Sequence, residues 1–409
     1  MSFGVTKSLP FLVGPAEATP GGALLLTAMD TALASLPMAA LFIFDRPIDQ
    51  AAETIRKALS QALVPYYPIA GRITATGHGL AIACTGEGVA FVAARATCTL
   101  QDARLTDHRP KVSVEEVIPT YAGQHKKEAP LLLMQVTEFS CGGFVVGVTW
   151  DHVIADGVGM AQFLQAVGEF ARGSSSSSMA PMRLDYCLPD LPPPIISMTR
   201  SLVSSPHNEF PSSYITVPMS FINRVKGEFR GHKNGDYMAP CSAFEVFVQA
   251  DEEAPTALAF TANVRKQTDA KDGYYGNLFT FGLAVATRAE VANADILDLV
   301  GLVREAKARV PYTFVDGAAY IGGEMGGRLR GMSGYDTLYV TSWWNLGFDD
   351  VDFGAGDPVR VMGNMERKVV PACILCGRKD KADGVAAMAL CVREEHQEAF
   401  LAELRKLDQ

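Results

Sequence analysis

The chain has 409 residues, 48% of them hydrophobic and 20% charged, a globular composition with material for a sizeable core. Its formal net charge of -9 argues against wrapping nucleic acid or adhering to an anionic membrane, while leaving room for a local basic patch. Eight scattered cysteines give no disulfide framework, no Asn-x-Ser/Thr sequon occurs, and MSFGVTKSLPFLVGP lacks a signal-type apolar region; a cytoplasmic protein is the expectation.

In chain order, the apolar stretch from Ala23 to Phe44 holds Asp30 and Pro37, so it predicts two short pieces with a strand over 40–44 rather than a membrane span. Ile48 to Leu63 carries apolar residues at helical period, with Asp49 as the expected N-cap. Leu80–Cys84 and Val89–Ala93 flank Thr85-Gly86-Glu87-Gly88, which reads as a hairpin. Leu131–Phe139 and Gly143–Trp150 read as strands around Cys141-Gly142-Gly143, followed by a helix over 157–171 with Met160, Phe163, Leu164, Val167 and Phe170 on one face. Ser174–Ser178 and Pro192-Pro193-Pro194 mark residues 173–213 as a linker poor in regular structure. Strands are then expected over 257–262, 278–286, 338–342 and 385–392, and helices over 296–310 and 394–407. The picture is two mixed α/β halves joined by a long connection.

The chemistry centres on His152-Val153-Ile154-Ala155-Asp156-Gly157, at the end of an apolar strand and the start of an amphipathic helix. A sharp strand-to-helix turn projects a side chain where a substrate can reach it, and an imidazole with an unperturbed pKa of about 6.5 suits a general base. Asp156 can touch that ring or turn away and brace the loop. The blander reading is a core histidine beside a helix-capping carboxylate, since a lone His-x-x-x-Asp arises easily by accident.

The hexapeptide resembles the HxxxD(G) motif of the BAHD acyl-CoA-dependent acyltransferases of plants. Tyr66-Tyr67-Pro68-Ile69-Ala70-Gly71-Arg72 is similar to the family's YYPxAGR segment, Asn263-Val264-Arg265 to its NxR, and Tyr274-Tyr275-Gly276-Asn277 to its Y-[FY]-G-N. Thr341-Ser342-Trp343 resembles its T/S-S-W, and Asp352-Phe353-Gly354-Ala355-Gly356 its DFGWG. These pieces stand in the family's order across nearly the whole chain.

The resemblance implies an α/β protein of two chloramphenicol-acetyltransferase-like lobes with mixed β-sheets and a solvent channel between them. Residues 1–172 would form the first lobe, 173–213 a crossover linker and 214–409 the second lobe, with part of 352–384 packing on the first. It implies that His152 takes the proton of an alcohol or amine acceptor as that group attacks the thioester of acyl-CoA, in a ternary complex. Thr341 would be the oxyanion donor and Trp343 a wall of the acyl pocket or a second donor, with simple packing as the plainer reading for Trp343. Asp156 would turn away from the site to pair with Arg265, while Asp352, Gly354 and Gly356 form a structural loop. Ser242 and Lys266 are candidates for contacting CoA, and Leu36, Pro37 and Met38 for the acceptor mouth. Acyl-CoA is expected as co-substrate of a monomer, without a tightly bound cofactor or metal. The opening VTKSLPFLVGPAEATP resembles grass members that use hydroxycinnamoyl donors.

The chain departs from the family pattern at Ala355, where the family has Trp, and after Cys241-Ser242-Ala243-Phe244-Glu245, where the usual Trp-Arg continuation is missing. The first predicts altered stability or contact, and the second a shortened helix on the CoA side. A non-catalytic relative that binds a metabolite or partner is therefore the competing reading. A condensation-type enzyme using a carrier-protein thioester is a third. Asp352-Phe353-Gly354 without HRD or GxGxxG companions is no kinase signature, and the lone Cys373-x-x-Cys376 reads as buried thiols.

Overall fold

The computed structural model describes residues 4–105, 111–121, 129–183, 193–203, 210–231, 253–315, 336–366, 370–376 and 384–405. The strands of the first half are β1 (Val5–Lys7), β2 (Phe11–Val13), β3 (Ala23–Leu25), β4 (Pro37–Phe44), β5 (Arg72–Thr76), β6 (Gly79–Ala83), β7 (Val89–Ala96), β8 (Leu132–Glu138) and β9 (Phe144–Asp151). Its helices are α1 (Ala28–Leu33), α2 (Ala51–Ala62), α3 (Leu100–Ala103), α4 (Val114–Val117) and α5 (Gly157–Ala171). Helix α6 (Pro193–Val203) follows, then β10 (Ser213–Val217), α7 (Met219–Gly231), β11 (Pro255–Asn263), β12 (Phe279–Thr287), α8 (Arg288–Asn293) and α9 (Ile296–Val315). The last elements are β13 (Thr337–Ser342), β14 (Arg360–Met365), β15 (Ala372–Cys376), β16 (Val385–Leu390) and α10 (Gln397–Arg405).

A mixed sheet runs β1-β7-β8-β9-β4-β14, with β2 also on β7, and a second mixed sheet runs β10-β16-β15-β13-β11-β12. A small third sheet holds β3-β6-β5. The unbroken apolar run of β4 is explained by cover on both faces. Ala40, Phe42 and Phe44 join a core with Ile55 and Leu59 of α2 and Met160, Phe163 and Leu164 of α5. Ala39, Leu41 and Ile43 face a second cluster with Val114 and Val117 of α4. Burying side chains of this size contributes about 1.5–3 kcal/mol each. Strand β14 crosses to the first sheet, pairing antiparallel with β4 from Arg360↔Ile43 to Met365↔Met38. The chain then returns to the second sheet as β15, parallel to β13.

Three expectations are corrected. The hairpin across Thr85–Gly88 does not form: β6 pairs with β5 and β3, while β7 joins the large sheet. The tighter turn Thr76–Gly79 takes the hairpin role, and the chain leaves one sheet for another at Gly88, whose φ of +99° suits the reversal. The N-cap of α2 is Gln50 in the left-handed region rather than Asp49, whose carbonyl accepts from Thr54 Oγ1. The stretch 173–213 is not free of regular structure. Proline is tolerated in a helix's first turn, so α6 starts at Pro193, and its buried Ile196 and Val203 pack in a cluster with Met29 and Leu33 of α1.

Candidate active site

The turn from β9 into α5 is built by its own sequence. Asp151 accepts from Val153 N at 3.0 Å and from Ser35 N at 3.2 and 3.1 Å, joining it to the residue before Leu36; burial lifts this carboxyl to about 6. The His152 N–H donates to Leu36 O at 2.9 Å, and Trp150 Nε1 donates to Ala155 O at 3.2 Å. Asp156 ends the turn as N-cap of α5, accepting from Gly159 N at 3.0 Å.

The Asp156 carboxylate is directed away from the imidazole. Arg265 grips it bidentately at 2.8 and 2.9 Å, and Leu278 N adds a 3.0 Å bond. The same guanidinium donates to Tyr274 O at 3.2 Å and Gly276 O at 2.7 Å. One arginine thus ties the histidine turn to the 274–278 segment. A Cβ on Gly159 would overlap the Tyr275 carbonyl, so only glycine permits this approach.

Asn277, held in that segment, accepts from His152 Nδ1 through its Oδ1 at 2.9 Å, and its Nδ2 donates to His152 O and to Asp30 Oδ1, both at 2.8 Å. Asp30, fully buried, also faces Arg183 at 3.1 Å, and Arg183 donates to Val153 O at 3.1 Å. Burial holds the His152 imidazole below the ordinary histidine range, favouring the neutral ring. Nε2 has no hydrogen-bond partner among the described residues.

A cavity of about 190 Å³ opens at this histidine. Its walls mix apolar groups (Leu33, Leu36, Met38, Phe279, Phe281, Tyr339) with a polar strip of Thr261, Asn263, Thr341 and Ser342. Phe279 lies 5.9 Å from the His152 ring and 5.7 Å edge-on from Phe281, which meets Tyr339 at 6.5 Å. Thr341 Oγ1 and Thr261 Oγ1 are 3.0 Å apart. Trp343 lines the cavity too, with its ring 6.2 Å from Trp150 and 5.1 Å from Phe348.

Among the residues singled out from sequence, His152, Asp156, Thr341, Trp343, Leu36 and Met38 meet at this cavity. Pro37 does not: alternate strand residues face opposite sides of a sheet, so it points away from its two neighbours. Lys266 is exposed and outside the lining, and Ser242 lies outside the described residues. Asp352 is remote from the histidine; its Oδ1 accepts from Gly354 N at 2.7 Å and Gly356 N at 2.8 Å, and Arg172 at the end of α5 donates to its carbonyl. Ala355 is buried in the main core. Burial raises the thiols of Cys373 and Cys376 to about 12, so neither is a ready nucleophile.

Sequence reading missed Asp30, Arg183, Asn277 and Thr261 as site residues. Asp30 left one signal, a carboxylate inside an apolar stretch, and Asn277 ends the Tyr274-Tyr275-Gly276-Asn277 stretch; Arg183 and Thr261 left none. Among the described residues no group of three or more His, Cys, Asp or Glu could hold a metal ion. No described helix is long and apolar enough to cross a membrane.

A family model described as "Transferase family" matches residues 3–208 and 243–407. Acyl transferase 15 of Oryza sativa subsp. japonica is 39% identical, covering 100% of this chain and 99% of that protein. Myricetin 3-O-glucosyl 1,2-rhamnoside 6'-O-caffeoyltransferase AT1 of Crocosmia x crocosmiiflora is 30% identical, over 99% of each chain. The solved structure of vinorine synthase superposes with a TM-score of 0.75 at 22% identity, over 99% of this chain and 98% of that one.

Proposed function

The chain belongs to the BAHD family of acyl-CoA-dependent acyltransferases, and on that premise we propose that it transfers a hydroxycinnamoyl or other aromatic acyl group to an alcohol or amine, with His152 as general base. One observation carries the assignment of the base: Asn277 occupies Nδ1 of His152, so Nε2 is the nitrogen left for substrate, at a cavity shared with Thr341 and Trp343.

In this reading acyl-CoA and acceptor bind together. Nε2 removes the acceptor's O–H or N–H proton as the heteroatom attacks the thioester carbonyl carbon. The carbonyl π pair moves to oxygen, giving a tetrahedral oxyanion. Thr341 donates a hydrogen bond to it; for that, Thr261 donates to Thr341 Oγ1 and leaves the Thr341 proton free to turn to the cavity. Collapse breaks the C–S bond, and the imidazolium returns its proton to the CoA sulfur. No covalent acyl-enzyme forms and no tightly bound cofactor takes part. Trp343 serves as a wall of the acyl pocket. Asp156 and Arg265 aim the turn, and Asp352 with Gly354 and Gly356 supports the far end of α5. The aromatic set Phe279, Phe281 and Tyr339 favours a planar acyl group through edge and face contacts, and the caffeoyl-transferring relative points the same way. Ser242 and Lys266 remain the proposed CoA contacts.

The test is CoA thiol release with p-coumaroyl-, feruloyl-, benzoyl-, acetyl- and malonyl-CoA against pooled phenolic alcohols and amines, beside His152→Ala. Acceptor-dependent release with an aromatic donor, reduced about 10²- to 10⁴-fold in the variant, is expected. Unchanged turnover in folded His152→Ala would overturn the assignment. A folded protein that binds CoA but turns over no pair would favour a non-catalytic relative.

A further inference from the structure

Asparagine side chains are ambiguous, because oxygen and nitrogen of the amide can exchange places by a half turn. At Asn277 the surroundings remove the ambiguity. Its Nδ2 lies 2.8 Å from two oxygens, Asp30 Oδ1 and the His152 carbonyl. The carbonyl has no proton to give and a carboxylate has none either, so both positions demand donors, and Nδ2 has two hydrogens. Oδ1 must then face His152 Nδ1, 2.9 Å away, and accept its proton. A flipped amide would set oxygen against two acceptors and would push the ring proton to Nε2, where the base must be empty.

We propose that Asp30, held by Arg183, is a positioning residue for acyl transfer: it locks the Asn277 amide and thereby fixes His152 in the Nδ1–H tautomer with Nε2 free. The assignment rests on the general-base reading above. Three features join at Asp30. It is fully buried, and its Oδ2 closes a capping box by accepting from Thr27 N at 3.0 Å, which anchors it to the first turn of α1. Its ion pair with Arg183 at 3.1 Å is buried on both sides. Arg183 in turn donates to Val153 O, the carbonyl next to the histidine, so the pair grips the turn at two places, directly and through Asn277. Among the described residues Arg183 Nε and Nη1 have no hydrogen-bond partner, and the anion facing that guanidinium is Asp30. Among the described residues the other charged groups near the ring belong to the Asp156–Arg265 pair, and Asp151 is turned to backbone N–H groups.

The tautomer can be read without turnover from two-bond ¹H–¹⁵N correlations of ¹⁵N-histidine-labelled protein, with His152→Gln assigning the signal. Wild type is expected as Nδ1–H. Asp30→Asn should give a mixture with Nε2–H, together with a fall in kcat of tenfold or more and KM for the acyl-CoA within about twofold. Because Asp30→Asn leaves a lone buried guanidinium, the pair variant Asp30→Asn/Arg183→Met is measured beside it. An Nε2–H signal in wild type overturns the proposal. So does a pure Nδ1–H signal in either folded variant. Absence of acyl transfer with the expected tautomers would instead count against the proposed function alone.

Discussion

At the level of single residues, the candidate site centres on a histidine whose surroundings would set its chemistry as the proposed base. Burial lowers the imidazole's affinity for a proton, and a general base works only in its neutral form. The neutral ring therefore persists to more acid conditions than for a free histidine. The acid limb of a kcat/KM–pH profile is expected below about pH 6.5, and a limb at or above that value would contradict the burial argument. Asp156 sits at the next level of support. Asp156→Asn keeps the shape of the helix cap but removes the charge that Arg265 grips from two sides. Breaking such a buried pair costs about 3–5 kcal/mol, so a marked fall in melting temperature and in kcat/KM is expected. Wild-type activity in a well-folded Asp156→Asn would remove this residue from the account.

The elements show where local signals suffice. Helix α5 was legible to the residue because its apolar face, its N-cap and its flanking strand all agree in one window of sequence. The pairing of β6 was not, because Thr85–Gly88 has the composition of any reversal, while the real partner is chosen by which strand edges the third sheet leaves open. Helix α6 was hidden by its own Pro-rich start and by a period that only α1 makes meaningful. The docking of α5 on the 274–278 segment depends on Gly159, and a methyl group there meets backbone rather than a movable side chain. Gly159→Ala is expected to cost about 1–3 kcal/mol by overpacking and to lower activity as Asn277 moves with its segment. Denaturant unfolding and steady-state rates check both halves; an unchanged midpoint would contradict the close approach of Gly159 to the Tyr275 carbonyl.

For the whole molecule, the main core includes Phe42, Val146 and Trp150 of the first sheet together with Ile374, Met388 and Leu390 of the second. Strand β14 stitches residues 360–365 onto a strand more than 300 positions earlier. Shared burial of this kind couples the halves, so thermal unfolding followed by tryptophan fluorescence and by far-UV circular dichroism should give coincident transitions. Two separated transitions would show that the sheets unfold independently.

The family and the mixed α/β class could be named from sequence, and His152, Asp156, Arg265, Thr341 and Trp343 proposed as site residues, because each sits in a short stretch that resembles a motif of the family. Composition and charge set the class of molecule, and periodicity set most helices and strands. What only tertiary structure decided is which distant groups share a hydrogen bond: Asp30 with Asn277 and Arg183, Thr261 with Thr341, and β14 with β4. The physical reason is common to all three. A polar side chain or a strand edge is satisfied by whatever the fold brings within about 3 Å, and that partner leaves no periodic trace in the chain.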